Sequence, residues 1–315
     1  MNHAVLARVV RSGFVESVHH GTAVAIDADG DVVRSAGAPQ APIFPRSSNK
    51  PLQAVAMLRA GLPLDGHLLA LGCASHSGER YHLDGVLRVL EAAGLDASAL
   101  RNTPSFPLDE DERLAWRSAR RPPSSLAQNC SGKHAAMLAT CVENGWPTEH
   151  YLDPDHPLQR AITETVTDFA GEEVAAVGVD GCGAPVHAIT PLGLAVAFAR
   201  LAAAAPGTPE GRVADAVRLH PEWVGGTGRD VTRLVRGVPG IVAKDGAEGV
   251  YAAALPDGRA VAVKIADGGE RPRAAVLATL LHRLGVEADV LDELLHVPVL
   301  GHGVPVGRVE VVGLG

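Results

Sequence analysis

Strand-forming segments occupy both ends of this chain, and helix-forming segments fill the stretch between them. A chain so ordered does not read as repeated strand–helix–strand units. It reads as an α/β chain whose ends meet in one mixed or antiparallel sheet, with a helical layer packed against it. At the N-terminal end, Val5, Ala7 and Val9 alternate with their neighbours, and AVAID-ADG-DVVR reads as a hairpin over Asp29–Gly30. Strand signals return at 173–180, 239–243, 249–255, 260–266 and 306–312. Helical apolar spacing predicts helices at 51–60, 83–93, 132–143, 157–170, 192–204 and 272–284, several ending at glycine (Gly61, Gly94, Gly145, Gly285). The expected organisation is a single domain over 1–315. A helical subdomain at about 83–235 is inserted between the sheet-forming ends, bordered by loops near 101–128 and 205–230.

Hydrophobic residues make up 46% and charged residues 20%, an ordinary globular balance. Aromatics are only 3%, so the core must be built from Ala, Val and Leu. The net charge of −8 leaves no basic stripe for phosphates, which argues against a nucleic-acid partner. The run Arg113 to Arg121 reads as a solvated helix face and loop. Arg8 and Arg11 break any signal-peptide core. The uncharged run Gly181 to Ala199 is interrupted by Pro185, His187 and Pro191, so it reads as buried strand plus helix rather than a membrane span. Cys73, Cys130, Cys141 and Cys182 form no CxxC pair, and without an export signal they are expected as reduced thiols in a cytoplasmic protein. Asp27, Asp29 and Asp31 do not form a calcium loop. The glycine is misplaced, and Ala38 would stand at the twelfth position.

Of the 28 cationic side chains only four are Lys: Lys50, Lys133, Lys244 and Lys264. Arg does not release its proton in a protein and Lys can, so these positions are the candidate titratable amines. Lys50 follows Ser47 by three residues in PRSSNKPLQ. A neutral Lys can take the serine proton, and on a helical turn such a pair faces each other. Pro51 predicts the helix start here, which would set Ser47 near backbone N–H groups able to hold an oxyanion. A serine cap beside a surface lysine is the plain alternative.

Lys133 lies in NCSGKHAAML, three residues after Cys130. Zinc chemistry alone nominates Cys130 and His134 at i, i+4, with Cys182 as a distant third ligand. A helix cap with a small buried Cys fits the same residues. Lys264 sits between Val263 and Ile265, where burial would lower its pKa; an edge-strand lysine is the alternative. The loop GCASHSGERYH at 72–82 collects two Ser, two His and a Glu, without a G-x-S-x-G elbow.

Eight segments in order, VESVHHG (15–21), RSSNKPLQA (46–54), ASHSGE (74–79), NCSGKHAAML (129–138), VDGCGAP (179–185), HPEWVGGTGR (220–229), AKDGAEGVYA (243–252) and VAVKIADGGERPRAA (261–275), resemble the rhizobial-type inducible L-asparaginases, the asparaginase II family. Arg80 departs from the family, which usually has Pro after SGE. The resemblance implies hydrolysis of L-asparagine to L-aspartate and ammonia, a fold similar to serine β-lactamases and glutaminases, and a homodimer. It implies two Ser–Lys tandems, Ser47 with Lys50 and Ser75 with Lys264. It implies a zinc site of Cys130, Lys133 and Cys182, structural or substrate-orienting, which demotes His134. Arg46, His76 and Asp180 are the candidate substrate-binding residues, Asp180 also as support for the metal site. A glutaminase or broader amidase on the same scaffold is the alternative, and a non-catalytic zinc-binding relative is the other. The presence of Ser47, Lys50, Ser75 and Lys264 together argues against the last.

Overall fold

The first two strands, β1 (Ala4–Arg11) and β2 (Phe14–Ile26), are joined by Ser12 and Gly13 at φ 49 and 82. Two positive φ angles in a two-residue turn give the twist that antiparallel neighbours need. The next turn, into β3 (Val32–Ala36), is closed by Asp27, whose Oδ1 accepts from Asp29 N at 3.1 Å and Asp31 N at 2.9 Å. The computed structural model describes residues 2–314.

Helices α1 (Lys50–Arg59), α2 (Gly66–Gly72), α3 (Arg80–Ala92), α4 (Glu110–Ser118), α5 (Ser131–Glu143) and α6 (Pro157–Ala170) follow. A separate two-stranded ribbon, β4 (Ala176–Val179) with β5 (Pro185–Ala188), interrupts them before α7 (Pro191–Ala202), α8 (Pro209–Leu219), α9 (Pro221–Val224) and α10 (Asp230–Gly237). The chain then returns to the sheet as β6 (Val242–Gly246), β7 (Val250–Ala254) and β8 (Ala260–Ile265). It ends in α11 (Arg273–Arg283), α12 (Asp289–Leu295), β9 (Pro298–Gly301) and β10 (Val304–Val311).

The main sheet runs β6-β7-β8-β2-β1-β10-β9, with β3 also paired to β2. All its pairings are antiparallel; Thr22 faces Lys264 across β2–β8, and Val9 faces Val309 across β1–β10. The two ends of the chain do meet in one α/β sheet, as the element order requires. The helices, however, cover both faces rather than one. Val24, Ile26, Ala252 and Ala262 pack with α1, α2, α5, α6 and α7, whereas Ala23, Ala25, Tyr251 and Val263 pack with α10, α11 and α12. Strands buried on both faces read as continuous apolar runs, and β7 and the end of β2 (Ala23–Ile26) do so; β6 is buried too but carries Lys244 and Asp245.

The glycines expected to stop helices do so in left-handed conformation: Gly61 (φ 89), Gly94 (φ 71), Gly145 (φ 64) and Gly285 (φ 80). The two expected loops need correction. The stretch 101–128 contains α4, capped by Asp109, whose Oδ1 accepts from Asp111 N and Glu112 N. The stretch 205–230 contains α8 and α9. Pro209 and Pro221 look like loop punctuation but stand in first turns, where a missing N–H costs nothing. Gly181 to Ala199 is the ribbon strand β5 followed by α7, and among the described residues no helix is long and apolar enough to cross a membrane.

Candidate active site

Ser47 lies on a short 3-10 turn, Arg46–Asn49, which feeds directly into α1. Pro51 sits in the first turn of α1, where its fixed φ suits a helix start. Arg46 takes φ 54, a left-handed conformation that costs a side-chain-bearing residue roughly 1–2 kcal/mol. It is held there by Asp180, whose Oδ1 accepts from the Arg46 guanidinium at 2.7 Å. The edge strand β6 presses on the same turn. Ser48 Oγ donates to Lys244 O at 3.1 Å, and a Cβ at Gly246 would lie 2.6 Å from Pro45 O and 2.8 Å from Ser48 Oγ.

Lys50, on the first turn of α1, is 1% exposed and points into the protein. Its Nζ hydrogen-bonds with Ala74 O, with Ser75 Oγ at 3.0 Å and with Cys130 Sγ at 3.1 Å. Ser75 lies in the extended segment after α2, whose backbone is laced to its surroundings. Ser75 N donates to Val224 O at 2.9 Å, His76 N to Asn129 O at 3.0 Å and Ser77 N to Gly225 O at 2.8 Å. The structure thus joins Lys50 to Ser75. Among the described residues no hydrogen bond links Lys50 to Ser47, or Lys264 to Ser75. Lys264, on β8, donates instead to Glu248 O.

Cys130 and Lys133 open α5, and Cys182 stands in the β4–β5 turn. Lys133 Nζ donates to Cys182 Sγ at 3.3 Å, and the two thiols share a hydrogen bond. That bond from Cys182, followed by the Lys50 and Lys133 charges, holds the Cys130 thiol well below its ordinary value against the effect of burial. The same bond and burial push the Cys182 thiol up. Burial opposes the Lys133 charge, but the two sulfurs and Asp180 raise its pKa overall. Burial likewise opposes the Asp180 charge, yet Lys133 and Arg46 keep its carboxyl below the usual range.

Among the described residues no three His, Cys, Asp or Glu side chains gather as a metal site. The lysine amine makes the difference: with it, two sulfurs and one nitrogen converge. That donor set fits zinc. His134 does not join it. Its Nδ1 pairs with Tyr151 Oη at 2.8 Å, which is where its buried ring is spent. His76 pairs through Nε2 with Ser131 Oγ at 2.8 Å and stacks on His82 with ring centroids 5.1 Å apart. Burial keeps both His76 and His134 well below their ordinary pKa.

A cavity of about 450 Å³ lies beside the Ser47 turn, lined by Arg46, Lys264, Glu248 and Phe44 among others. Ser47, Lys50, Ser75, His76 and Asp180 are not in its wall; of the expected site residues Arg46 and Lys264 are. Burial lowers the Lys264 pKa, as expected for an amine flanked by Val263 and Ile265.

Residues that carried no sequence-based role also bear on the site. Lys244 is fully buried, and burial pushes its amine down to about 8. Its Nζ meets Asp245 Oδ1 at 2.7 Å, and Arg229 meets Asp245 Oδ2 at 2.6 Å. This ion cluster anchors the edge strand that supports the Ser47 turn. In the sequence Lys244 stood out as one of four lysines, and it lies with Asp245 and Arg229 in segments of the family resemblance, which gave them no role.

Three neighbouring folds are distant. A β-lactamase from Mycobacterium bovis is 16% identical, with a TM-score of 0.45, covering 84% of this chain and 94% of that one. Mglu in its native form is 16% identical, with a TM-score of 0.44, covering 84% of this chain and 63% of that one, so the chain spans less than two thirds of its length. A Bacillus glutaminase is 15% identical, with a TM-score of 0.37, covering 84% and 89%. A search of curated proteins gives no match. The sequence profile described as L-asparaginase II matches residues 7–311, a span holding every serine, lysine and cysteine described above; the chain belongs to the L-asparaginase II family, a family of amide hydrolases.

Proposed function

We propose that the protein hydrolyses L-asparagine to L-aspartate and ammonia through a serine nucleophile and a lysine base. The carrying observation is Lys50 Nζ, buried between the Ser47 turn and Ser75 Oγ at 3.0 Å. Ser47 Oγ attacks the side-chain amide carbon and its proton passes to Lys50 Nζ. Backbone N–H groups at the start of the turn stabilise the oxyanion. Ser75, bonded to Lys50, relays the proton to the leaving nitrogen, with Lys264 supporting the relay from the cavity wall. Ammonia departs, leaving an aspartyl ester on the serine. Water, deprotonated by the same lysine, then releases aspartate. Arg46 and Asp180 orient the substrate.

The Lys50–Ser75 bond favours one second reading, in which Ser75 is the nucleophile and Ser47 the relay. Mass spectrometry of a trapped acyl-enzyme separates them. An adduct on Ser75 with Ser47 unmodified would reverse the assignment.

Cys130, Lys133 and Cys182 would hold zinc. A bound zinc supplies positive charge that fixes these residues and orients the substrate; the serine and lysine already provide nucleophile and base. His76 acts by holding the Ser75 segment. The homodimer implied by the family resemblance and the cytoplasmic location expected from the cysteines belong to the same reading. The deciding test is ammonia release from L-asparagine, present in the wild type and lost in Lys50→Arg, which keeps the charge but removes the base.

A further inference from the structure

An asparagine zwitterion carries a carboxylate and an ammonium, and a site that selects it needs an opposite charge for each. The cavity beside the Ser47 turn has two cations in its wall, Arg46 and Lys264, but a single acid, Glu248. The other nearby carboxylate, Asp180, is not in that wall; its Oδ1 accepts from Arg46 at 2.7 Å and from Gly181 N at 2.7 Å, so it acts on the cavity through Arg46.

Glu248 is differently placed. Its carboxylate stands 3.7 Å from Arg46 Nη1, too long for a hydrogen bond, so its oxygens keep their acceptor capacity. Its backbone takes φ 58, a left-handed conformation unusual for a residue with a side chain. The following Gly249, at φ 69, continues the turn. Gly268 leaves the space into which the carboxylate fits, because a side chain there would strike Glu248 Oε2. These two angles belong to the hairpin turn that joins β6 to β7, which holds the Glu248 side chain in one position at the cavity rim. Here one residue serves the cavity twice, its carbonyl receiving Lys264 Nζ and its carboxylate standing free beside Arg46.

We infer that Glu248 is the specificity residue of this site, its carboxylate receiving the α-ammonium of the amino-acid substrate while Arg46 faces the α-carboxylate. The inference rests on the asparaginase reading and deepens it: the substrate class is an amino acid with a free α-amino group, not a simple carboxylated amide.

The test is steady-state kinetics on L-asparagine and on succinamic acid, which is asparagine without its α-amino group, for the wild type, Glu248→Gln and Glu248→Asp. A charge-assisted contact of this kind is worth about 10- to 100-fold. The expected result is that Glu248→Gln lowers the ratio of kcat/KM for asparagine over succinamic acid by that factor, chiefly through KM, and that Glu248→Asp restores part of it. Use of both substrates cancels any indirect effect on Arg46, since both carry the carboxylate. An unchanged ratio, or a parallel loss on both substrates in both variants, overturns the role of Glu248 while leaving the asparaginase reading intact. A wild type that releases no ammonia from asparagine overturns the asparaginase reading, and this inference with it.

Discussion

Lys50 Nζ lies 3.0 Å from Ser75 Oγ, so the lysine that the S-x-x-K spacing assigns to Ser47 is hydrogen-bonded to the other serine of the site. The contact follows from the fold. Lys50 opens α1 with its side chain turned inward, toward the end of α2 and the start of α5, where Ala74, Ser75 and Cys130 wait as acceptors. Ser47 stands on the 3-10 turn before the helix, whose path is set by Arg46 and β6.

Lys50→Arg should reduce kcat by about 10²–10⁴-fold, the range for loss of a positioned base, with the folded state retained. Ser47→Ala should prevent acyl-enzyme formation altogether, and Ser75→Ala should slow turnover without preventing it. Rapid-quench mass spectrometry with asparagine reads both. An ester still forming in Ser47→Ala would contradict the assignment.

The buried Asp245 cluster should matter to stability rather than directly to chemistry. Asp245→Asn leaves Lys244, Arg229 and Arg273 without their shared anion, and breaking a buried pair costs about 3–5 kcal/mol. Burial alone would raise the Asp245 carboxyl, but these three cations hold it far below its ordinary value. Its contribution is therefore full above about pH 4 and is lost as the pH falls further. Urea unfolding at pH 7 and at progressively lower pH should show the gap between wild type and Asp245→Asn narrowing on acidification. Lys244 acts in the opposite sense. With its amine lowered to about 8, its burial weakens the fold most below that pH, and the penalty is relieved as the pH rises from about 8 toward the ordinary lysine value.

Metal content should depend on the amine as well as the thiols. Cys182→Ser and Lys133→Arg should each lose zinc, measured by elemental analysis of dialysed protein, with a lower Tm relative to the zinc-loaded wild type. Chelation of the wild type should lower Tm or raise KM. A chelated protein of unchanged Tm and KM but abolished chemical step would contradict a structural or orienting metal.

Gly246→Ala offers a test of the β6 contact. The added methyl would come within 2.6 Å of Pro45 O and 2.8 Å of Ser48 Oγ, forcing the Ser47 turn away from β6. The expected outcome is a loss of about 1–3 kcal/mol in stability together with a fall in kcat larger than the change in KM. Crystallography of the variant should show the Arg46–Asn49 turn displaced.

Much of this architecture could be read from local pattern. Pro51 and Gly61 frame α1, and Asp27 with Gly30 closes the second hairpin, because each acts within a few residues of itself. The helix missed at 209–219, and the one at 110–118 that was read only as a solvated face over 113–121, begin with a cap followed by proline or acidic residues, which a search for apolar spacing passes over. The site was legible in its membership but not in its pairing. S-x-x-K spacing describes a turn of helix, whereas the Lys50–Ser75 contact spans the packing of α1 against the segment after α2. Nor could periodicity mark Glu248, whose importance lies in a left-handed backbone and a notch made by Gly268.

The register that sets Thr22 opposite Lys264 also governs when the enzyme can first exist. Ser47 and Lys50 leave the ribosome early, but the strand carrying Lys264 and the edge strand steadying the Ser47 turn are made near the end of synthesis. A nascent chain that has not reached β8 has Ser47 and Lys50 but lacks the Lys264 wall of the cavity. The cavity is therefore completed only by the long-range pairing of β8 with β2, a class of contact that forms slowly because a long loop must close first.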